Sequence, residues 1–144
     1  MRTRGLIQIV AVAAFLVGCA STAEKMTEKG VEPMTAEELR TTITGNSFYQ
    51  RGDGWEWAGY FKPDGTATGR AWGSWGEVVA NGTWDITDDG LQCEDWENEW
   101  GGDGRGCSHW YQDGDLIVYD HVSGSKGQEP TGTLKFSEGN AYNL

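Results

Sequence analysis

The sequence predicts a mainly β protein, a single antiparallel meander that closes into a small barrel or curved sandwich and is preceded by one short N-terminal helix. Three observations predict it. Apolar and polar residues alternate with a period of two along most of the chain after Gly45, the pattern of a strand with one face buried. Strand-like runs follow one another at a spacing of about eight to twelve residues, typical of all-β folds, and Asp-Gly turn signals stand at Asp64-Gly65, Asp89-Gly90 and Asp113-Gly114. No second long helical periodicity interrupts them. The 144 residues leave enough chain for one core and not for two domains.

The first element is a leader. Arg2 and Arg4 stand without a nearby acid, and Leu6 to Phe15 is apolar but for Gln8. A run this short does not span a bilayer, which takes about 20 apolar residues, so the segment reads as a signal peptide over residues 1–18. It ends in Leu16-Val17-Gly18-Cys19, which resembles the lipobox of bacterial lipoproteins. The resemblance implies that Cys19 receives the lipid, that cleavage precedes it, and that the chain is held at a membrane by its acyl groups. Ala20, in place of the Asp that often retains such proteins in the inner membrane, favours the outer membrane of a bacterial envelope.

Residues 19–34 are rich in Ala, Ser, Thr, Glu and Lys and are expected to form a flexible tether. The acidic β-rich domain then occupies 35–144. Thr35-Ala36-Glu37-Glu38 has the spacing of a capping box, Leu39 and Ile43 share a face, and Gly45 stops the helix, which places it at about Ala36 to Ile43.

Strands follow. Trp55, Trp57 and Phe61 alternate with Glu56, Ala58 and Tyr60 up to the Pro63-Asp64-Gly65 turn, from which Thr66 to Trp72 returns antiparallel. Asn81 to Thr87 puts Trp84 and Ile86 inward, and Leu91 to Asp95 carries Cys93. Cys107 to Gln112 turns at Asp113-Gly114 into Asp115 to His121, where Leu116-Ile117-Val118-Tyr119 is apolar on both faces and is expected to be central. Thr131 to Ser137, with Leu134 and Phe136 on one side, is the last strand. The order of these features resembles a family of small exported proteobacterial proteins of unknown function. It runs from the Thr-Ala-Glu-Glu-Leu helix through Tyr60-Phe61-Lys62-Pro63-Asp64-Gly65-Thr66, Gly82-Thr83-Trp84-Asp85-Ile86 and Gln92-Cys93 to a second Cys before Trp110-Tyr111. The resemblance spans Thr35 to about Tyr119 and implies fold, not activity.

With Cys19 lipidated, Cys93 and Cys107 remain, and in an oxidising compartment they are expected to form a disulfide. Zinc binding is not expected, since neither Cys has a CxxC partner and His109 and His121 complete no usual spacing. Nor does the acidic segment have the spacing of a calcium loop. Removing residues 1–18 leaves nine basic against 22 acidic side chains, a formal charge of −13, which disfavours nucleic acid and anionic lipid as partners.

No nucleophile motif stands out, no cofactor is implied, and the chain is not expected to be an enzyme. Ser108 and His109 are adjacent on a strand and so point to opposite faces. The segment from Cys93 to Cys107 holds five acids, one cation and the pair Trp96 and Trp100. Those two rings either form an exposed aromatic platform for a cationic protein, a sugar or a quaternary amine, or fold back as a lid on the core. Trp72 and Trp75 sit among glycines and, with Trp96 and Trp100, are candidates to line a barrel mouth. Three readings follow: a non-enzymatic module binding a protein partner through exposed Trp96 and Trp100, a carrier of a small apolar or glycan ligand in a Trp-lined cavity, and a purely structural lipoprotein.

Overall fold

The computed structural model describes residues 20–97, 104–124 and 131–144. The signal segment, Cys19 and Trp100 lie outside them. Among the described residues, two helices, α1 (Thr22–Glu28) and α2 (Ala36–Ile43), precede eight strands: β1 (Asn46–Arg51), β2 (Trp55–Phe61), β3 (Thr66–Gly73), β4 (Gly76–Ile86), β5 (Gln92–Trp96), β6 (Gly106–Asp113), β7 (Leu116–Ser123) and β8 (Thr131–Ser137). Each strand pairs antiparallel with the next, and β1 pairs with β8 to close a barrel.

The expected helix forms as α2, with its capping box made as foreseen: the Thr35 hydroxyl accepts from the Glu38 amide and the Glu38 carboxylate accepts from the Thr35 amide at 2.7 Å. Leu39 and Ile43 are fully buried and join Met34, Phe48, Phe61, Trp110, Ile117 and Leu134 in the core. The helix plugs one end of the barrel. Its C-terminal turn is pinned there by the Gly45 amide, which donates to the Phe61 carbonyl at 2.7 Å.

The stretch expected to be a flexible tether is ordered. A second capping box, Ser21 with Glu24, starts α1; Met26 is buried, Lys29 pairs with Asp113, and Pro33 bridges to Tyr111. Two buried methionines, Met26 and Met34, and the contacts with the barrel hold it, and neither leaves a periodic signal in so short a segment.

Two strand expectations are also revised. Residues 46–51 form the strand that closes the barrel, and β4 begins at Gly76 because Ser74 and Trp75 make a two-residue turn with Gly73 opposite Gly76. Nor does a central position explain the doubly apolar stretch on β7, since closure gives every strand two neighbours. Ile117 points into the core, while Leu116 is exposed on the outside.

Outside, the C-terminal residues fold back over β1 to β3. Ser47 Oγ donates to the Gly139 carbonyl at 2.6 Å and accepts from the Ala141 amide at 3.2 Å, and Tyr142 stacks on Tyr49 with ring centres 6.0 Å apart. Apolar side chains fill the part of the barrel next to α2.

Candidate functional site

The interior divides into two layers. Next to α2, Phe48 meets Phe61, Trp110 and Phe136 edge to face at 5.6, 5.0 and 5.8 Å, and this layer is tightly filled. Above it, toward the end where the β1–β2 and β3–β4 hairpins turn, the inward-pointing positions are Gln50, Trp57, Glu94, Trp96, Ser108, Tyr119 and His121. They come from β1, β2, β5, β6 and β7.

Registry brings them together. Ser108 lies opposite both Gln92 and His121, and Trp110 lies opposite Tyr119. The Gln50 amide donates to the Tyr119 hydroxyl at 3.1 Å, and the Gln92 amide donates to the Glu94 carboxylate at 3.3 Å. Ser108 Oγ and His121 Nδ1 share a hydrogen bond at 3.2 Å. His121 Nε2 is buried and finds no partner among the described residues. The rings of Trp57 and Trp96 meet edge to face at 6.2 Å, as a wall between the polar groups and the aromatic core.

Two glycines make room for this layer. A Cβ on Gly82 would come within 2.8 Å of the Trp96 ring, and one on Gly132 would come within 2.4 Å of the Tyr119 hydroxyl and 2.5 Å of the Gln50 amide.

Packing differs sharply between the layers. Phe48, Phe61, Ile117 and Leu134 are at most 4% exposed. Gln50, Trp57, Glu94, Tyr119 and His121 also point inward, yet each keeps part of its surface accessible. Partial exposure of inward-facing side chains marks this end of the barrel as less completely filled than the layer beside α2.

Burial pushes the Glu94 carboxyl above its ordinary value of 4.5, against smaller opposing effects of hydrogen bonds from Trp96 and Gln92. Between the ordinary value and the raised one, the folded chain holds a proton that the unfolded chain has released. Stability from this group is therefore present at low pH and lost as pH rises through that window. Urea denaturation from about pH 5 to pH 8 is expected to show a decline that Glu94→Gln, a mimic of the protonated group, makes shallower. Equal slopes in the two proteins would remove Glu94 as its source.

The residues singled out from the sequence scatter. Cys93 and Cys107 are cross-strand partners on β5 and β6 and are joined by a disulfide. Trp96 is 7% exposed and packs on Trp57 and Phe61, so the core-covering alternative holds for this ring and an exposed platform does not form there. Trp72 lies on the outer wall. Its indole donates to Glu56 at 2.5 Å, Tyr49 donates to the same carboxylate at 2.6 Å, and the Arg70 guanidinium sits 5.4 Å from the Trp72 ring. Trp75 is 57% exposed at the tip of the β3–β4 hairpin. Neither lines the mouth with Trp96.

Sequence reasoning missed Glu94, Ser108 paired with His121, and Gln50 paired with Tyr119. The alternation on β5 and β6 gives their parity, but their partners stand on strands up to 69 residues away. Among the described residues no group of three or more His, Cys, Asp or Glu side chains is placed to hold a metal ion.

A family model described as a protein of unknown function (DUF995) matches residues 9–128 of the chain. No curated protein matches it.

Proposed function

This chain belongs to the DUF995 family of proteins of unknown function, and we propose that it is a lipid-anchored protein of the bacterial envelope that binds a small ligand in the upper half of its barrel. One observation carries the ligand reading: five inward-facing side chains from four strands, Gln50, Trp57, Glu94, Tyr119 and His121, border an accessible space above a filled aromatic core. Small-molecule sites have this character, an apolar wall with a few placed polar groups. The lipid anchor rests on the lipobox at Leu16 to Cys19 and on the acyl arithmetic, in which two or more chains at about 0.8 kcal/mol per buried methylene hold a protein stably.

A protein-partner role through Trp96 loses support from the burial of that ring. Turnover has one observation in its favour, the Ser108–His121 hydrogen bond. Ser108 is only 8% exposed and sits in the ladder between Gln92 and His121, whereas acyl transfer calls for free amides aimed at a developing oxyanion. Binding without turnover is the better fit.

Intrinsic tryptophan fluorescence of the purified protein, titrated with apolar, glycan and charged small molecules, tests the pocket, since Trp57 and Trp96 border it. A saturable shift with any of them is expected, and no change with all of them would sink the reading. Release of product from an activated acyl ester that disappears in Ser108→Ala would replace binding by hydrolysis. The anchor is tested by intact mass of the protein from the membrane fraction: a chain beginning at an acylated Cys19 is expected, and an unmodified chain retaining Met1 overturns it.

A further inference from the structure

We infer that the ligand of this pocket is a small organic ammonium ion, its charge set against the Glu94 carboxylate and its body against the Trp57 ring. The inference rests on the pocket reading above and narrows it to one chemical class.

The charge pattern is the first support. The donors to Glu94 are neutral, the Gln92 amide and the Trp96 indole. Several cations engage partners on the outside, Arg105 with Asp85, Lys29 with Asp113, and Arg70 with Glu77 and the Tyr142 carbonyl. No cationic side chain among the described residues is paired with Glu94. An ionised carboxylate in such a place is costly unless an opposite charge joins it, so a cation entering the pocket gains what the fold has left open.

The wall is the second. Trp57, partly exposed and backed edge to face by the buried Trp96, offers ring surface near a carboxylate, the combination by which aromatic sites hold ammonium groups. The remaining lining groups, Gln50, Tyr119, Ser108 and His121, supply neutral hydrogen-bonding atoms. His121 Nε2 is buried and has no partner among the described residues, a polar atom that a rearrangement on binding would satisfy.

Alternatives fit less well. An anion would face Glu94 directly, a bare metal ion would lack a set of liganding side chains among the described residues, and an uncharged sugar would make no use of the carboxylate's charge. The formal charge of −11 over the whole chain also draws cations toward the domain and repels anions.

The test compares choline and cadaverine with the uncharged isostere of choline in which a tert-butyl group replaces the trimethylammonium, using tryptophan fluorescence and calorimetry on the purified protein. At least one of the two cations is expected to bind roughly tenfold or more tightly than the isostere, from charge pairing and cation–π contact together. Glu94→Gln is expected to bring the ratio close to one, with far-ultraviolet circular dichroism unchanged. If the isostere binds as tightly as both cations in the wild-type chain, or if sugars and apolar compounds bind while neither cation does, the ammonium assignment is overturned and the pocket stands. If no compound of any class binds, both fall. The wild-type comparison decides the matter even if Glu94→Gln fails to fold.

Discussion

Phe48→Ala is expected to lower the free energy of unfolding by about 3–5 kcal/mol, the range for truncating a large buried aromatic. Phe48 has no exposed surface. Its ring is the hub of the lower layer, edge to face with Phe61, Trp110 and Phe136, and each such aromatic pair adds about 0.5–1.5 kcal/mol beyond area burial. Phe48 also sits on β1 directly opposite Phe136 on β8, so the cavity opens at the seam where the barrel closes. A domain of this size has about 5–15 kcal/mol in all, and the variant is expected to be close to unfolding at about 37 °C. Urea denaturation followed by tryptophan fluorescence measures the loss. A change under about 1 kcal/mol would mean that the core is not organised around this ring.

Removing the disulfide ranks next. Replacing both Cys93 and Cys107 with alanine is expected to cost about 3 kcal/mol, the chain-entropy value for a closed loop of about 15 residues. The local consequence is larger than that figure suggests. β5 and β6 share three residue pairs, Gln92 with Ser108, Cys93 with Cys107 and Glu94 with Gly106, and the disulfide joins the middle one. With so little ladder to hold the seam, its loss is expected to expose Glu94 and Ser108 before the rest of the barrel unfolds. Denaturation midpoints with and without reductant give the energy, and amide exchange on β5 and β6 gives the order of opening. Equal midpoints, or alkylation of Cys93 in the unreduced protein, would refute the bridge.

Much of this fold was legible because its determinants are local. The Thr35–Glu38 box, the Leu39–Ile43 face and the Asp64-Gly65 turn each lie within a few residues of sequence, where backbone geometry alone fixes the outcome. Helix α1 uses the same kind of box, Ser21 with Glu24. Its composition alone resembles a tether, because its stability comes from contacts with β6 at Tyr111 and Asp113, and composition does not carry such contacts.

The tryptophans show where local reading stops. Trp72 and Trp96 both sit in strands with mixed neighbours, yet one faces outward to Glu56 and Arg70 and the other is buried against Trp57. Alternation says that successive residues face opposite ways, but it does not say which of the two faces is the inside.

By itself the sequence determined the β class, the α2 helix, the turns and the pairing of Cys93 with Cys107, since each follows from short-range geometry or from the count of available thiols. Tertiary structure alone decided that β1 meets β8, that α2 plugs one end, and that Glu94, Ser108, His121, Tyr119, Gln50 and Trp57 gather in one layer above the core. The reason is physical. Strands tilt when a sheet closes into a barrel, and the residues that end at one height are set by the stagger between neighbours summed around the ring, a long-range quantity that no segment encodes on its own.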